Sequence, residues 1–362
     1  MTQPLSRRDA LKALALPVAA GVGSEVAQEA DAGHLDSQAS REGWVVGRLT
    51  GAEALVKALL AEGAEVVFGI PGAQASEVWD TMKSLGLGYL LVTHEFSASS
   101  MADGYARATG RPGILFVVPG PGLTNSLSGL GEALLDSVPL VCLVTDVARG
   151  PKYRPFQVHE IAPLGLLQPV TKHVLCVNEV RDIPAAVREA HGLALCGEPG
   201  PVAVVLPYHL FVAADEVCSP PLPPAAVPFD ASAFRAALPL LANRRHRVGI
   251  YAGLGCMDVN HQLVSAAELL QAPVATSVSG KGVIAETHPL AVGWGYGPQA
   301  TRTAEQVFRE IDVVLAIGVR FSEMSTAFSL PSRPHLIHVD VNEANLGRGV
   351  CADVAVHADA GV

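Results

Sequence analysis

The strongest constraint in this sequence is a repeated local pattern: a short apolar run, a turn built on small residues, then a helical stretch. Residues 65–68 lead through Gly69-Ile70-Pro71-Gly72-Ala73 into a helix expected over 74–84. Residues 89–92 lead through Thr93 and His94 into a helix over 95–109, and 113–118 lead through Pro119-Gly120-Pro121-Gly122 into one over 123–136. Two more apolar runs, 140–145 and 202–206, flank a helix over 179–196. Thr50-Gly51-Ala52-Glu53 reads as a capping box opening a helix that runs to Glu62. Apolar runs without polar alternation suit strands covered on both faces, and strands that alternate with helices build a parallel sheet. The fold class expected is therefore α/β with doubly wound parallel sheets.

The series occurs twice. Between the two halves, residues 218–229 read C-S-P-P-L-P-P-A-A-V-P-F. So many prolines can neither pair in a central sheet nor continue a helix, so the stretch reads as a stiff linker. Beyond it come strands over 247–251, 273–276, 313–317 and 335–339, with helices near 259–270 and 301–310. A length of 362 residues suits two such domains, and 49% hydrophobic against 17% charged residues suits large cores. The net charge of −10, the absence of a Lys/Arg run and only 5% aromatics argue against a nucleic-acid partner. The six cysteines are scattered with no C-x-x-C pair, so isolated core thiols fit better than a disulfide framework or a zinc site.

Residues 1–32 read as an address. Ser6-Arg7-Arg8 precedes an Ala-rich apolar run over 13–23, which resembles a twin-arginine export signal with a small-x-small site at Ala30-Asp31-Ala32. That run is too short to span a bilayer, so no membrane span is expected. The periplasm is the destination this leader implies. A frayed N-terminal helix with a chance Arg pair, on a cytoplasmic protein, is the alternative.

The local cluster richest in chemistry is Thr93-His94-Glu95-Phe96, where an apolar strand runs into a helix. Ligands sit in the crevice at the carboxyl ends of parallel strands. A carboxyl group held among apolar neighbours there keeps its proton more readily, as acid–base work requires. The tetrapeptide equally suits a helix-start Glu favoured by the macrodipole. Gly120-Pro121-Gly122 lets a ligand approach backbone and unpaired helix N–H groups, but no Gly-Lys-Ser/Thr follows, so it is not a P-loop. Three such turns on successive strands would lie along one edge of one sheet. In the second half, Gly253-Leu254-Gly255 lacks the third glycine of a dinucleotide fingerprint, and Lys281 in Ser279-Gly280-Lys281-Gly282 suits an exposed loop lysine. His335, His338 and Asp340 share a strand, but no further cluster completes a metal site, and none is expected.

In this order the segments resemble the thiamine-diphosphate-dependent enzymes, within them the acetolactate synthase branch. The resemblance runs from about Thr50 to Asp353. It is carried by V-F-G-I-P-G-A (67–73), H-E-F-S-A-S-S-M-A-D-G-Y-A-R-A-T-G (94–110), G-P-G-L-T-N (120–125), L-D-S-V-P-L (135–140), F-Q (156–157), P-V-T-K-H (169–173), G-P-V (200–202), H-P-L (288–290), G-V-R-F (318–321) and H-V-D-V-N (338–342). It implies a pyrimidine-binding domain over 48–212 and a central α/β domain over 230–362. It implies that Glu95 hydrogen-bonds a ring nitrogen of the cofactor's aminopyrimidine, which in turn activates the thiazolium carbon toward a 2-keto acid such as pyruvate. Carbon dioxide leaves, and the remaining fragment joins a second carbonyl. Pro71, Gly72, Asn125 and Gln157 match cofactor-lining positions, with Phe156 and Gln157 at the substrate pocket. The family builds its site between subunits, which implies a homo-oligomer or a split heteromer.

Three departures from the family pattern shape the expectation. No Gly-Asp-Gly occurs in the sequence, so a further domain is expected to hold Mg2+ and the diphosphate. Without it, the alternative is a non-catalytic two-domain remnant or a nucleotide-binding assembly subunit. FAD, which the central domain of acetolactate synthases holds, is disfavoured: Glu198 replaces the arginine of G-R-P-G-P-V, and R-F-D-D-R becomes Arg320-Phe321-Ser322-Glu323-Met324. Val158 follows Phe156-Gln157 where these synthases carry glutamate, so the substrate can differ from theirs.

Overall fold

Both bonds of the capping box are made where β1 (Val45–Thr50) turns into α1 (Gly51–Ala61). The Glu53 N–H donates to Thr50 Oγ1 at 3.2 Å, and the Thr50 N–H donates to Glu53 Oε2 at 2.8 Å. Such a cap pairs helix N–H groups that would otherwise have no intrahelical partner. The computed structural model describes residues 42–322 and 333–362. The leader read at 1–32 lies outside the described residues, as do Glu323 and Met324. The chain divides into two units, one ending at Ala226 and the other running Val227–Val362.

In the first unit the order continues β2 (Val66–Gly69), α2 (Ser76–Leu85), β3 (Gly88–Leu91), α3 (Glu95–Thr109), β4 (Gly113–Val117), α4 (Pro121–Leu135) and β5 (Leu140–Asp146). Then come α5 (Pro163–Leu167), β6 (His173–Cys176), α6 (Ile183–Leu195), β7 (Pro201–Pro207), α7 (His209–Val212) and β8 (Ala214–Ser219). Six strands form one parallel sheet in the order β3-β2-β4-β5-β7-β6. Every residue of β4, β5 and β7 is buried, as expected of unalternating apolar runs. Period-two geometry sends Ile114 and Phe116 into one core and Leu115 and Val117 into the other, so helices cover both faces. From β2 the chain moves outward to β3, then returns past β2 to β4 and continues to the other side. The topological switch point therefore lies between β2 and β4, and the crevice for a ligand opens at their carboxyl ends.

β1 and β8 pair antiparallel, Val45 opposite Ser219 and Thr50 opposite Ala214. The first unit thus reaches beyond the 48–212 span expected, and Cys218 and Ser219 belong to a strand rather than to the linker. These strands are partly polar, so the apolar-run criterion passed over them. Residues 220–227 are exposed and carry no regular structure.

The second unit contains α8 (Ala231–Ala242), β9 (Val248–Ala252), α9 (Asn260–Leu270), β10 (Val274–Thr276), β11 (Ala291–Trp294), α10 (Arg302–Phe308), β12 (Val313–Ile317), β13 (His335–Asp340) and β14 (Val354–His357). Its six strands are also all parallel, in the order β11-β10-β9-β12-β13-β14. The fold class is thus the one expected. Sequence reading missed β11 and β14, the two edge strands, and both are less buried than the central ones. Among the described residues no helix is long and apolar enough to cross a membrane.

Candidate functional site

Three strand-to-helix turns of the first unit meet at the carboxyl edge of β3, β2 and β4. Glu95 opens α3, and His94 caps it by accepting the Phe96 N–H on Nδ1 at 3.2 Å. Although it begins a helix at an edge, Glu95 is only 8% exposed. Asn125, in the second turn of α4, donates from Nδ2 to Glu95 Oε2 at 3.0 Å. The two helices come this close because Gly129 faces Ser99, where a Cβ would collide with the Ser99 hydroxyl.

Val118, just past β4, is the wedge between the other two turns. A Cβ on Gly72 would lie 2.7 Å from Val118 Cγ1, and one on Gly122 would lie 2.7 Å from Val118 Cγ2 and 3.6 Å from Glu95 Oε1. The glycines therefore leave bare backbone around an apolar methyl pair and one carboxylate oxygen. Pro71 precedes Gly72 in the same turn. Gly72, Glu95 and Asn125, named separately from the sequence, are thus brought together around Val118, which sequence reading did not single out.

The segment after β5 forms the fourth side. Gln157 closes it: the Ala148 N–H donates to Gln157 Oε1 at 2.9 Å, and Gln157 Nε2 donates to the Ala148 carbonyl at 3.0 Å. At its base Arg149 grips the buried Asp146 with two bonds, 2.7 and 2.9 Å, and reaches the Ile161 carbonyl at 3.4 Å. Ends this close make the segment a compact Ω-type loop. Gln74 Nε2 donates to the Val158 carbonyl at 3.3 Å, and the Cβ of His159 lies 2.9 Å from where a Cβ of Gly120 would be. The loop is thus laid over the turns that carry Gly72 and Gly120. Phe156 and His159 both adopt positive φ, 59° and 65°, a strained backbone for such residues. Phe156 stands 97% exposed at the loop's tip. Both polar ends of the Gln157 amide are engaged by Ala148, so its visible role is to hold this loop in shape. Neither Arg149 nor Asp146 carried a motif that could have flagged the brace.

The remaining sequence candidates have partners of their own. Lys281 pairs with Glu286 at 3.1 Å on the surface. The His338 ring nitrogens are both engaged, Nε2 by the Val319 carbonyl and Nδ1 by the Gly347 N–H, which leaves no lone pair for a metal. His335 lies 3.8 Å from Asp353 instead. Lys172, within P-V-T-K-H, donates to the Leu193 carbonyl at 2.7 Å and to that of Cys196, capping the end of α6. Burial pushes its ammonium pKa down. Glu198 accepts a bond from Ser137 Oγ at 2.7 Å. Cavities of about 540 Å³ around His246 and Gln271, and about 230 Å³ around Glu65 and His191, include none of the residues around Glu95. Glu95, Gly72, Gly122 and Asn125 form a shelf at the carboxyl edge of the sheet.

Comparison with known proteins bears on this shelf. Residues 49–162 match the family described as "Thiamine pyrophosphate enzyme, N-terminal TPP binding domain", and residues 234–362 match "Thiamine pyrophosphate enzyme, central domain". A probable acetolactate synthase large subunit of Methanococcus aeolicus is 36% identical over 326 residues, 86% of this chain and 54% of that protein. The acetolactate synthase isozyme 3 large subunit of Escherichia coli is 34% identical over 324 residues, 86% of this chain and 56% of that protein. The acetolactate synthase large subunit of Corynebacterium glutamicum is 34% identical, with 86% and 51% covered. The chain spans about half the length of the curated relatives it matches.

Proposed function

The chain belongs to the thiamine pyrophosphate enzyme family, whose N-terminal and central domains it carries, and on that premise we propose that it furnishes the pyrimidine side of a thiamine-diphosphate-dependent carboligase acting on 2-keto acids. The observation that carries the reading is the buried Glu95 carboxylate, with Oε2 held by Asn125 and Oε1 facing the bare backbone of Gly122. An aminopyrimidine fits this shelf. It is flat, it needs close approach to backbone, which Gly72 and Gly122 permit, and its ring nitrogen needs an acid partner.

When bound, the cofactor supplies a carbon acid whose conjugate base adds to a carbonyl. The chain's own part is narrower. Glu95 holds a proton at Oε1 and shares it with the ring nitrogen. Val118 gives the ring an apolar rest, and the Gln157-clasped loop covers the neighbouring side with Phe156 at its tip. Mg2+ and the diphosphate are assigned to a further domain, in the same polypeptide or in another, as the family resemblance implies for a sequence with no Gly-Asp-Gly. Leu91 at the end of β3, Phe96 in the first turn of α3 and Phe156 in the loop are exposed apolar residues, which supports a second subunit covering this edge. Flavin is left out, since Glu198 stands where the family's arginine would. Export through the Arg7-Arg8 leader is a separate proposal, tested by cell fractionation with both arginines replaced by lysine.

The test titrates thiamine diphosphate with Mg2+ into this chain, alone and with a polypeptide carrying the Gly-Asp-Gly…Asn motif, and then follows carbon dioxide release from pyruvate. Glu95→Gln should lower turnover by about 10²–10⁴-fold while leaving the fold intact. Normal turnover in that variant overturns the reading.

A further inference from the structure

We propose that Asn125 is a positioning residue for Glu95, which holds Oε2 and thereby confines the transferable proton to Oε1. The inference rests on the cofactor reading above and deepens it. A carboxylate can only accept hydrogen bonds, so the nitrogen end of the Asn125 amide is the end that faces it. With that N–H directed at Oε2 at 3.0 Å, a proton on the same oxygen would meet it head-on. When Glu95 takes a proton, Oε1 therefore carries it.

Oε1 is also the oxygen with room around it. It lies 3.6 Å from the position a Gly122 Cβ would occupy, so a planar ring can lie against it. The arrangement is not left to a flexible side chain. α3 and α4 are locked side by side by the Gly129–Ser99 approach, which sets the distance from Asn125 to Glu95. Buried as it is, the carboxyl has little water with which to reorient. One donor thus selects between two otherwise equivalent oxygens, and the proton moves only between Oε1 and the ring nitrogen and back, with no change in electron count. A proton on the wrong oxygen would sit one carboxyl width from its acceptor, and general acid catalysis depends on that geometry.

The test measures deuterium exchange at the cofactor's thiazolium carbon, by proton NMR after acid quench, in the cofactor-loaded protein with its diphosphate-binding domain. Wild type, N125A, N125D and E95Q are compared across a range of pH, with melting curves to confirm folding. Loss of one charge-assisted bond in N125A should slow exchange about 10- to 100-fold. In N125D two carboxylates face each other at neutral pH, so exchange should fall further. It should recover as pH drops and the new carboxyl becomes a donor. A purely structural role for Asn125 would lower both variants without moving the pH dependence, and that result overturns the proposal. N125A exchanging at the wild-type rate at every pH, while E95Q does not exchange, overturns it too and leaves the cofactor reading standing. E95Q exchanging normally, or wild type no faster than free cofactor, removes the cofactor reading and this proposal together. Because N125D is nearly isosteric, it decides the matter even where N125A melts.

Discussion

The side-chain amide of Gln157 and the backbone of Ala148 pair in both directions, at 2.9 and 3.0 Å. This two-point clasp holds a loop in which two non-glycine residues, Phe156 and His159, have positive φ. Removing it in Gln157→Ala should cost about 1–3 kcal/mol for two net hydrogen bonds and should open residues 149–160 to proteolysis. Gln157→Glu keeps the acceptor but turns an oxygen toward the Ala148 carbonyl. It should be worse than Ala at neutral pH and recover on acidification. Limited proteolysis and urea denaturation read both outcomes.

Arg188 is an internal cation of the first unit. Its guanidinium is almost wholly buried and donates from Nη1 to Glu62 at 2.9 Å and from Nη2 to the Gly43 carbonyl. Breaking a buried pair from one side leaves a charge unpaired, so Glu62→Ala should cost about 3–5 kcal/mol. Replacing both partners with apolar residues of similar size, Arg188→Met with Glu62→Leu, should recover much of that loss. A chemical denaturation series on the two singles and the double checks it. A double variant no more stable than Glu62→Ala would contradict the argument.

The second unit should lose stability on acidification through His338. Burial pushes the His338 imidazole pKa below its usual value, against the smaller opposing effects of the Val319 carbonyl and Asp340. The neutral ring donates from Nε2 to Val319 and accepts the Gly347 N–H at 3.1 Å on Nδ1, so protonation must break the second bond. Because the unfolded chain binds the proton more readily, stability is full above about pH 6.5. It falls as pH drops toward the depressed folded value and levels off below it. Melting temperature against pH should show this step, and His338→Gln should flatten it.

Gly122→Ala would place a methyl group 2.7 Å from Val118 Cγ2 and beside Glu95 Oε1. Overpacking of this kind costs about 1–3 kcal/mol, and the methyl takes the space where a ring would lie. Thiamine diphosphate binding should weaken by about tenfold or more, which corresponds to about 1.4 kcal/mol. Adding Val118→Ala should restore stability without restoring full affinity, since the Oε1 side remains crowded. Calorimetric titration and melting on the pair distinguish the two effects.

Much of the architecture was legible because its signals are local. The helix expected over 95–109 is found as Glu95–Thr109, where His94 caps one end and Gly110 in the left-handed conformation closes the other. The apolar runs of β4, β5 and β7 announced strands buried on both faces. What escaped were elements whose stability comes from partners far away in sequence. β1 and β8 pair across more than 160 residues of chain and have no apolar run of their own. β6, expected only as part of a motif, lies at the sheet's edge, and its exposed His173 and Cys176 hid the period.

By itself the sequence determined the alternation of strand and helix, the glycine turns and the placing of a carboxyl group at the start of a helix, because period, capping and turn chemistry act within a few residues. Only the tertiary structure decided that the turns after β2 and β4 flank the switch point, since strand order depends on which edges pair. It alone brought Asn125 to Glu95, 30 residues away in sequence, and closed a loop through the two bonds between Gln157 and Ala148. Those outcomes are distances through space between groups remote along the chain, set by the packing of α3 on α4 and by the register of the sheet.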